Sequence, residues 1–331
     1  MSNMISQTFD YKKIVEQMYY EPTFLLDKYK LLLFNATKGV IKTIKSFNPD
    51  IILVSECGLI AAEVILYKLI SRRRYKVISI IDDSYDMICG NQFSRKHEIA
   101  EKILIPLFNN VICVEDRTAD VFQEKYGKGI FFPIIRNEQT MRVLYSRVLH
   151  ISKSYQDCFY LKGKKVFLFV GRIVSLKNVP QIIKSFLTAK IEDSVLIIVG
   201  NGPEEEKCKN EANGHDNIIF TGRLEGDALY AWYNVADVFV LASWKEPFGA
   251  VINEALLAGC VCLVSHHAGS QCLIKEGVNG FKINPFCTED ISQKMRKVVD
   301  IIPYKDLETT RSNMMQESFE TAIQRVITGI K

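Results

Sequence analysis

No C-x-x-C pair occurs among the nine cysteines, and their number is odd. That argues against a disulfide framework or a zinc site and fits a reducing compartment. The opening "MSNMISQTFDYKK" has no apolar core of a secretory signal, so a cytoplasmic location is expected. The longest apolar stretch, residues 51–70, is interrupted by Glu56, Glu63 and Lys68. It reads as a strand plus a helix rather than a membrane span. Internal repeats, low-complexity tracts and clusters of metal-ligating residues are all missing, so neither a metal nor a cofactor is expected. Nothing points to nucleic acid.

What is present is an ordinary globular composition: 331 residues, 48% hydrophobic and 24% charged. That length suggests two domains of about 150 residues each. The formal charge of +4 sits wholly in the first half, with 22 basic against 18 acidic residues over 1–160 and 20 against 20 beyond. Arg72, Arg73, Arg74 and Lys76 form the densest basic run. It is either a solvated helix end or a contact for an anionic surface such as lipid headgroups.

Continuous apolar strands alternate with helices along most of the chain. "DIILVSE" (50–56), "YKVISIIDD" (75–83), "NVICVE" (110–115) and "IFFPII" (130–135) make a first series. "KVFLFVG" (165–171), "SVLIIVG" (194–200), "NIIFTG" (217–222), "VFVLAS" (238–243), "VCLVS" (261–265) and "GFKI" (280–283) make a second. Such spacing indicates parallel sheets covered on both faces. Residues 136–164 are polar and weakly patterned, and the domain boundary is placed there. The expected fold class is α/β: two facing Rossmann-like domains with parallel sheets and a cleft between them. Ligands in such sheets lie beyond the carboxyl ends of the strands.

Chemistry-bearing residues recur at those strand ends. In "FVGRIVSLKN", Gly171 is followed by Arg172 and Lys177, two cations on one loop, the arrangement a diphosphate requires. They are equally readable as surface cations. In "IVGNGPEEE", Gly200 and Gly202 flank a sharp turn before a helix that Pro203 opens. The third glycine of G-x-G-x-x-G is missing, which weakens a dehydrogenase reading. "FTGRL" ends another strand with Gly222 and Arg223. "KEPFGAVINEALLAGC" carries Glu246 and Glu254 eight residues apart. Pro247, Phe248 and Gly249 are expected to start a helix running to about Leu257, with Gly259 ending it. Gly249 admits close backbone approach, and the first-turn amides suit an anion. A buried Glu254 needs hydrogen-bond donors, which a polyhydroxylated ligand supplies. The alternative is an exposed pair of surface glutamates.

Together "VGR....K", "VGNGP", "FTG" and "EPFGAVINEALLAG" resemble the family 4 retaining glycosyltransferases, which have the two-domain GT-B architecture. The resemblance is strong over residues 165–285 and weak over 75–135; "HHAGSQCLIKEGVNGF" fits the same pattern. It implies a hexose transferred from a nucleoside-diphosphate sugar to an acceptor hydroxyl with retention, in polysaccharide or glycolipid synthesis. It gives Arg172, Lys177 and Glu246 the catalytic work: the cations neutralise the diphosphate, and Glu246 faces the sugar. Gly171, Gly202, Gly222, Arg223, Phe248, Gly249, Ala250 and Glu254 would bind the donor. Glu254 would take the ribose hydroxyls, and residues 248–250 would offer backbone amides. The partners implied are a nucleotide sugar and a saccharide or lipid-linked acceptor, with an anionic membrane surface beside them.

The first domain departs from the family. "YKKIVEQMYYEPTFLLDKYKLLLF" reads as helical, and the first strand–helix–strand is expected to be missing or replaced. The expected division is a shortened acceptor-side domain (1–160), a nucleotide-sugar-binding domain (161–312) and a C-terminal helix (313–331) packing back on the first domain. Tyr19, Tyr20, Phe24 and Phe34 either enter a membrane interface or fill the core. After "VISII", where the family often has a histidine, stand Asp82 and Asp83; they orient an acceptor or cap a helix. His97 reads as a solvated helix residue. His266 and His267 could lie near the donor, without binding metal. A non-catalytic, nucleotide-sugar-binding partner subunit is the alternative function. A sugar-nucleotide epimerase is disfavoured by the cation pair and the two glutamates.

Overall fold

A computed structural model describes residues 23–26, 29–34, 39–90 and 94–330. Contacts divide the chain into two compact units, residues 1–137 with 318–331 and residues 138–317. No helix among the described residues is long and apolar enough to cross a membrane.

The first unit is built on a six-stranded sheet whose strands lie in sequence order. They are β1 (Thr23–Leu26), β2 (Tyr29–Phe34), β3 (Ile51–Ser55), β4 (Lys76–Ile81), β5 (Asn110–Cys113) and β6 (Ile130–Phe131). β1 runs antiparallel to β2, and every later pairing is parallel. Parallel neighbours need crossovers. They are helices α1 (Val40–Phe47) and α2 (Leu59–Ser71), then the short α3 (Tyr85–Cys89) with α4 (Arg95–Leu104), and then α5 (Asp116–Tyr126). β3, β4 and β5 are rich in Ile and Val and mostly buried, and the core of this unit runs through Ile52, Val54, Val77, Val111 and Phe122.

This corrects the reading of the N-terminus. "TFLL" and "YKLLLF" are strands, and β2–α1–β3 is a strand–helix–strand unit where none was expected. A short continuous apolar run has no period that separates a buried strand from a buried helix, so only pairing with β3 decides it. Phe24 and Phe34 stand in these strands; Tyr19 and Tyr20 lie outside the described residues.

The second unit carries six parallel strands in the order β12-β11-β10-β7-β8-β9. These are β7 (Lys165–Val170), β8 (Ser194–Val199), β9 (Ile218–Gly222), β10 (Val238–Leu241), β11 (Val261–Ser265) and β12 (Gly280–Ile283). Each of these six strands was legible in the sequence to within two residues at either end. Before β7 come α6 (Glu138–Arg147) and α7 (Leu149–Cys158); between strands lie α8 (Val179–Ala189), α9 (Glu205–Ala212), α10 (Gly226–Val235) and α11 (Val251–Leu257). α12 (Thr288–Val298) follows β12.

The contact division falls after Asn137, not at 160, because α6 and α7 fasten to α10. The Asn234 amide donates to the Tyr145 carbonyl at 2.9 Å, and the Ser152 hydroxyl donates to that of Ala231 at 3.1 Å. Tyr155 stacks on Trp232 at 4.6 Å. Few residues of α6 and α7 are buried, so their pattern looked like linker. The last helix, α13 (Phe319–Ile330), belongs to the first unit. The Lys76 ammonium donates to the Ile330 carbonyl at 2.6 Å, the Asn110 amide to that of Gly329 at 3.0 Å, and Arg325 to that of Phe131 at 3.0 Å.

Candidate active site

The loops past β7 and β8 are laced together by their backbones. The Ile173 N–H donates to Asn201 at 2.8 Å, and the Glu204 N–H returns to the Ile173 carbonyl at 3.1 Å. A Cβ on Gly200 would strike the Gly171 carbonyl oxygen, and one on Gly202 the Ile173 carbonyl oxygen. The "GNG" glycines are therefore needed for loop-to-loop contact, whatever else the turn binds. This packing presents Gly171 and an exposed Arg172 beyond the strand end. A short 3-10 turn, Ser175–Lys177, then aims Lys177 inward. Asn178, left-handed at φ 56°, donates its amide to the Pro285 carbonyl at 2.8 Å and anchors that turn.

The loop past β10 meets this turn from the other side. The Trp244 N–H donates to the Leu176 carbonyl at 2.9 Å. Beyond it, Lys177 Nζ forms an ion pair with Glu246 Oε2, both side chains being mostly buried. The Ser243 hydroxyl donates to the same carboxylate oxygen at 3.3 Å. Two residues 69 positions apart are thus joined at adjacent strand ends, as the order β10-β7 requires. Arg172 and Lys177 do not both stay open to solvent: one is exposed, and the other is neutralised.

The following helix begins later than the sequence suggested. Pro247, Phe248 and Gly249 stay outside the helix; Ala250 is the N-cap, and α11 starts at Val251. The reason is tertiary. The Phe248 carbonyl is used by the Ser270 N–H at 2.8 Å, and Gly249 sits at φ 91°. A Cβ there would meet Leu241 at 2.8 Å and Ser270 Oγ at 3.1 Å. The Phe248 ring is buried, which leaves only its backbone for a ligand. Gly259, at φ 82°, follows the helix end.

Glu254 is buried on α11. Its Oε2 accepts from the Tyr233 hydroxyl at 2.9 Å, and its backbone carbonyl accepts from the Tyr145 hydroxyl at 2.7 Å. Burial, then the charge of Glu254, holds the Tyr233 phenol well above its ordinary range. A surface pair of glutamates is excluded: Glu246 is largely covered and Glu254 almost completely so. Sequence reasoning missed Tyr233, Tyr145 and Ser243. Only Ser243, three residues from Glu246, left a local trace. Farther along the sheet, Gly222 turns at φ 73° with open space around it. The exposed Arg223 is held by Glu225, with Nε to Oε1 at 3.0 Å.

The first unit gathers acids of its own. Asp82 and Asp83 follow β4, and Glu56 follows β3 at φ 50°. Carboxylate oxygens of the three lie within 4.8 Å of one another. Among the described residues they form a donor set able to hold a cation. Burial, with the Asp82 hydrogen bond and the charges of both aspartates, pushes Glu56 up to about 7. The N-cap position of the following helix, α3, is held by Ser84 and not by either aspartate. Beside them the fully buried Glu115 accepts from the Tyr85 N–H at 2.6 Å and from Arg117 Nε at 2.7 Å. The backbone N–H of His97 donates to the N-cap Ser94 hydroxyl at 3.3 Å. His266 and His267 lie with ring centroids 4.2 Å apart past β11.

Residues 159–311 match the family model "Glycosyl transferases group 1", which indicates a transferase. An uncharacterized glycosyltransferase of Methanocaldococcus jannaschii is 33% identical over 141 residues, 41% of this chain and 36% of that one. The sulfoquinovosyl transferase of Arabidopsis thaliana is 32% identical over 139 residues, 41% and 27% of the two chains. The GDP-mannose-dependent alpha-mannosyltransferase of Corynebacterium glutamicum is 36% identical over 122 residues, 37% and 28%. The chain thus spans well under half the length of these relatives. Among solved structures, Anabaena HepE in complex with UDP superposes with a TM-score of 0.64 at 19% identity, over 88% of this chain and 79% of that one. The sucrose-phosphate synthase of Thermosynechococcus elongatus gives 0.61 at 17%, over 88% and 72%. These likenesses establish the GT-B glycosyltransferase fold.

Proposed function

We propose that the chain is a retaining glycosyltransferase that moves a hexose from a nucleoside-diphosphate sugar to an acceptor hydroxyl in polysaccharide or glycolipid synthesis. The observation that carries this reading is the meeting of Lys177 and Glu246 at neighbouring strand ends, with Arg172 on the same loop as Lys177. Arg172 and Lys177 take the diphosphate. Glu246 takes the hydroxyls of the transferred sugar, and the amides of Phe248, Gly249 and Ala250 complete that subsite. Glu254 takes the ribose hydroxyls alongside Tyr233. Gly171, Gly202, Gly222 and Arg223 border the nucleotide. The bond from the anomeric carbon to the diphosphate oxygen breaks, and one to the acceptor oxygen forms on the same face. The acceptor proton passes to the leaving diphosphate oxygen. No separate protein base is required, and the cations stabilise the charge that develops. Asp82 and Asp83 orient the acceptor. A panel of UDP-, GDP- and ADP-sugars tests the assignment by thermal shift, followed by donor hydrolysis. A donor at 100 times its dissociation constant raises stability by about 2.7 kcal/mol. Binding without any turnover would favour the partner-subunit alternative, and no binding to any member would remove the reading.

We further propose that the acceptor is met at an anionic membrane surface. α2 is apolar on both sides: Ala61, Val64 and Ile65 face the core, while Leu59, Leu66, Leu69 and Ile70 are exposed. α4 exposes Ile99 and Ile103, with Leu107 just beyond it. Arg72, Arg74, Lys96 and Lys102 are exposed on or next to the same helices. Arg73 and Lys76 are instead tied to Asn48 and Ile330. Each cation near such a surface adds about 1 kcal/mol, screened by salt. Sedimentation with phosphatidylglycerol vesicles at low salt should capture the chain, and phosphatidylcholine vesicles should not. No capture at low salt leaves a soluble acceptor.

A further inference from the structure

We infer that the exposed aromatic group around Trp244 and Phe286 is a stacking subsite for a pyranose ring. This rests on the reading of Glu246 as the residue that faces sugar, and it names the ring surface that reading leaves open.

Trp244 and Phe286 are 39% and 64% exposed, and their ring centroids lie 6.1 Å apart at 31°. His267 meets the Phe286 edge at 5.6 Å. Leu176, also exposed, extends the patch. Exposed apolar side chains from the loops after β7, β10 and β12, with His267 from the loop after β11, gather into one patch, a grouping that points to a ligand surface where single exposed apolar residues would not. The loops are also held in place. Trp244 is fastened to Leu176, the Glu246 N–H donates to the His267 carbonyl at 3.3 Å, and the carbonyl of Pro285 is held by Asn178. The platform therefore shares its backbone supports with Lys177 and Glu246.

Sheet order gives the patch its place. β8 and β9 lie on one side of β7, and β10, β11 and β12 on the other. The proposed nucleotide residues Gly202, Gly222 and Arg223 follow β8 and β9. Glu246 follows β10, and the aromatic group follows β10 to β12. Passing along the carboxyl ends, nucleotide, diphosphate and sugar-facing carboxylate come first, and the platform lies beyond them. A pyranose has a face of C–H groups and a rim of hydroxyls. Its apolar face covers an aromatic ring while its rim remains free for Glu246 and the His267 imidazole. The ring is either the transferred sugar of the donor or the acceptor's terminal sugar.

The chain provides its own probe. It has two tryptophans, and Trp232 is buried under Tyr155, so solvent-sensitive emission comes from Trp244. Emission and iodide quenching are followed while the full chain is titrated with UDP and GDP, their glucose and mannose conjugates, and methyl glycosides of the same sugars. The bare diphosphates should leave Trp244 quenchable. Protection by the nucleotide sugars alone assigns the donor's ring; protection by the glycosides assigns the acceptor's. Trp244→Ala or Phe286→Ala should weaken sugar binding, measured by calorimetry, about three- to tenfold, with UDP or GDP affinity within twofold of the parent. Trp244→Phe should restore most of the loss. If no saccharide-bearing compound protects Trp244 up to millimolar concentration, the platform is overturned, while diphosphate binding would still support the donor site. If glycosides protect it and no diphosphate binds, the platform stands and the donor-site reading falls.

Discussion

The two units solve the problem of charge at a strand end in opposite ways. Past β7 and β10, Lys177 and Glu246 neutralise each other, and Arg172 remains exposed. Past β3 and β4, Glu56, Asp82 and Asp83 stand together, and Glu56 responds by holding a proton up to about pH 7. The first arrangement is prepared to receive added negative charge, because a cation is already at hand. The second resists it. Position at the carboxyl end of a parallel strand therefore makes a site available without deciding its chemistry; the sign of the neighbours does that.

The largest effect expected is on the cationic side. Arg172→Ala or Lys177→Ala should lower turnover by about 10²–10³-fold, the usual cost of losing a group that stabilises developing charge. Melting temperature should change little for Arg172→Ala, whose side chain is exposed. Near-parental turnover in both variants, with a competent donor and acceptor, would end the diphosphate assignment.

Next comes the buried pair behind the nucleotide residues. Tyr233→Phe removes the hydroxyl that Glu254 Oε2 accepts and leaves a buried carboxylate one donor short. Urea denaturation should show a loss of about 1–3 kcal/mol. Glu254→Gln should weaken a nucleoside diphosphate and leave inorganic pyrophosphate unaffected, as calorimetry with both can tell. Equal losses for the two ligands would contradict a ribose role.

Glu246→Gln sharpens the contrast further, because it frees Lys177. Transfer should fall, while the bare nucleoside diphosphate binds more tightly, because the largely buried Lys177 ammonium is left without its partner and the diphosphate can supply the missing negative charge. Weaker binding of the bare diphosphate would mean that the carboxylate orders the lysine rather than competing for it.

The last effect lies in the acidic group and shows only as a pH dependence. The folded-state pKa of Glu56 is raised from 4.5 to about 7, so its protonated form is the one the fold favours. That contribution is complete below about pH 4.5 and is lost as the pH rises through 7. Glu56→Gln should therefore melt above the parent at pH 8 and close to it at pH 4.5, in thermal scans without added divalent ions. A gain that is the same at both pH values would show that the carboxyl does not titrate as described.

The sequence by itself determined the alternation of strand and helix, the parallel sheets, and the presence of Arg172, Lys177, Glu246 and Glu254 close to strand ends. Those features depend on residues near one another in the chain, where apolar runs, glycines and charges leave a readable pattern. Tertiary structure alone decided which of them meet. Lys177 reaches Glu246 because β10 lies beside β7, and Tyr233 reaches Glu254 because α10 packs near α11. Pairing with β3 made a strand of "YKLLLF". The Ser270 N–H takes the Phe248 carbonyl and Gly249 turns at φ 91°, so α11 starts only at Val251. Glu56 joined the aspartates because β3 and β4 end side by side. Each of these contacts joins residues that no local periodicity couples, so strand order and packing had to bring them together.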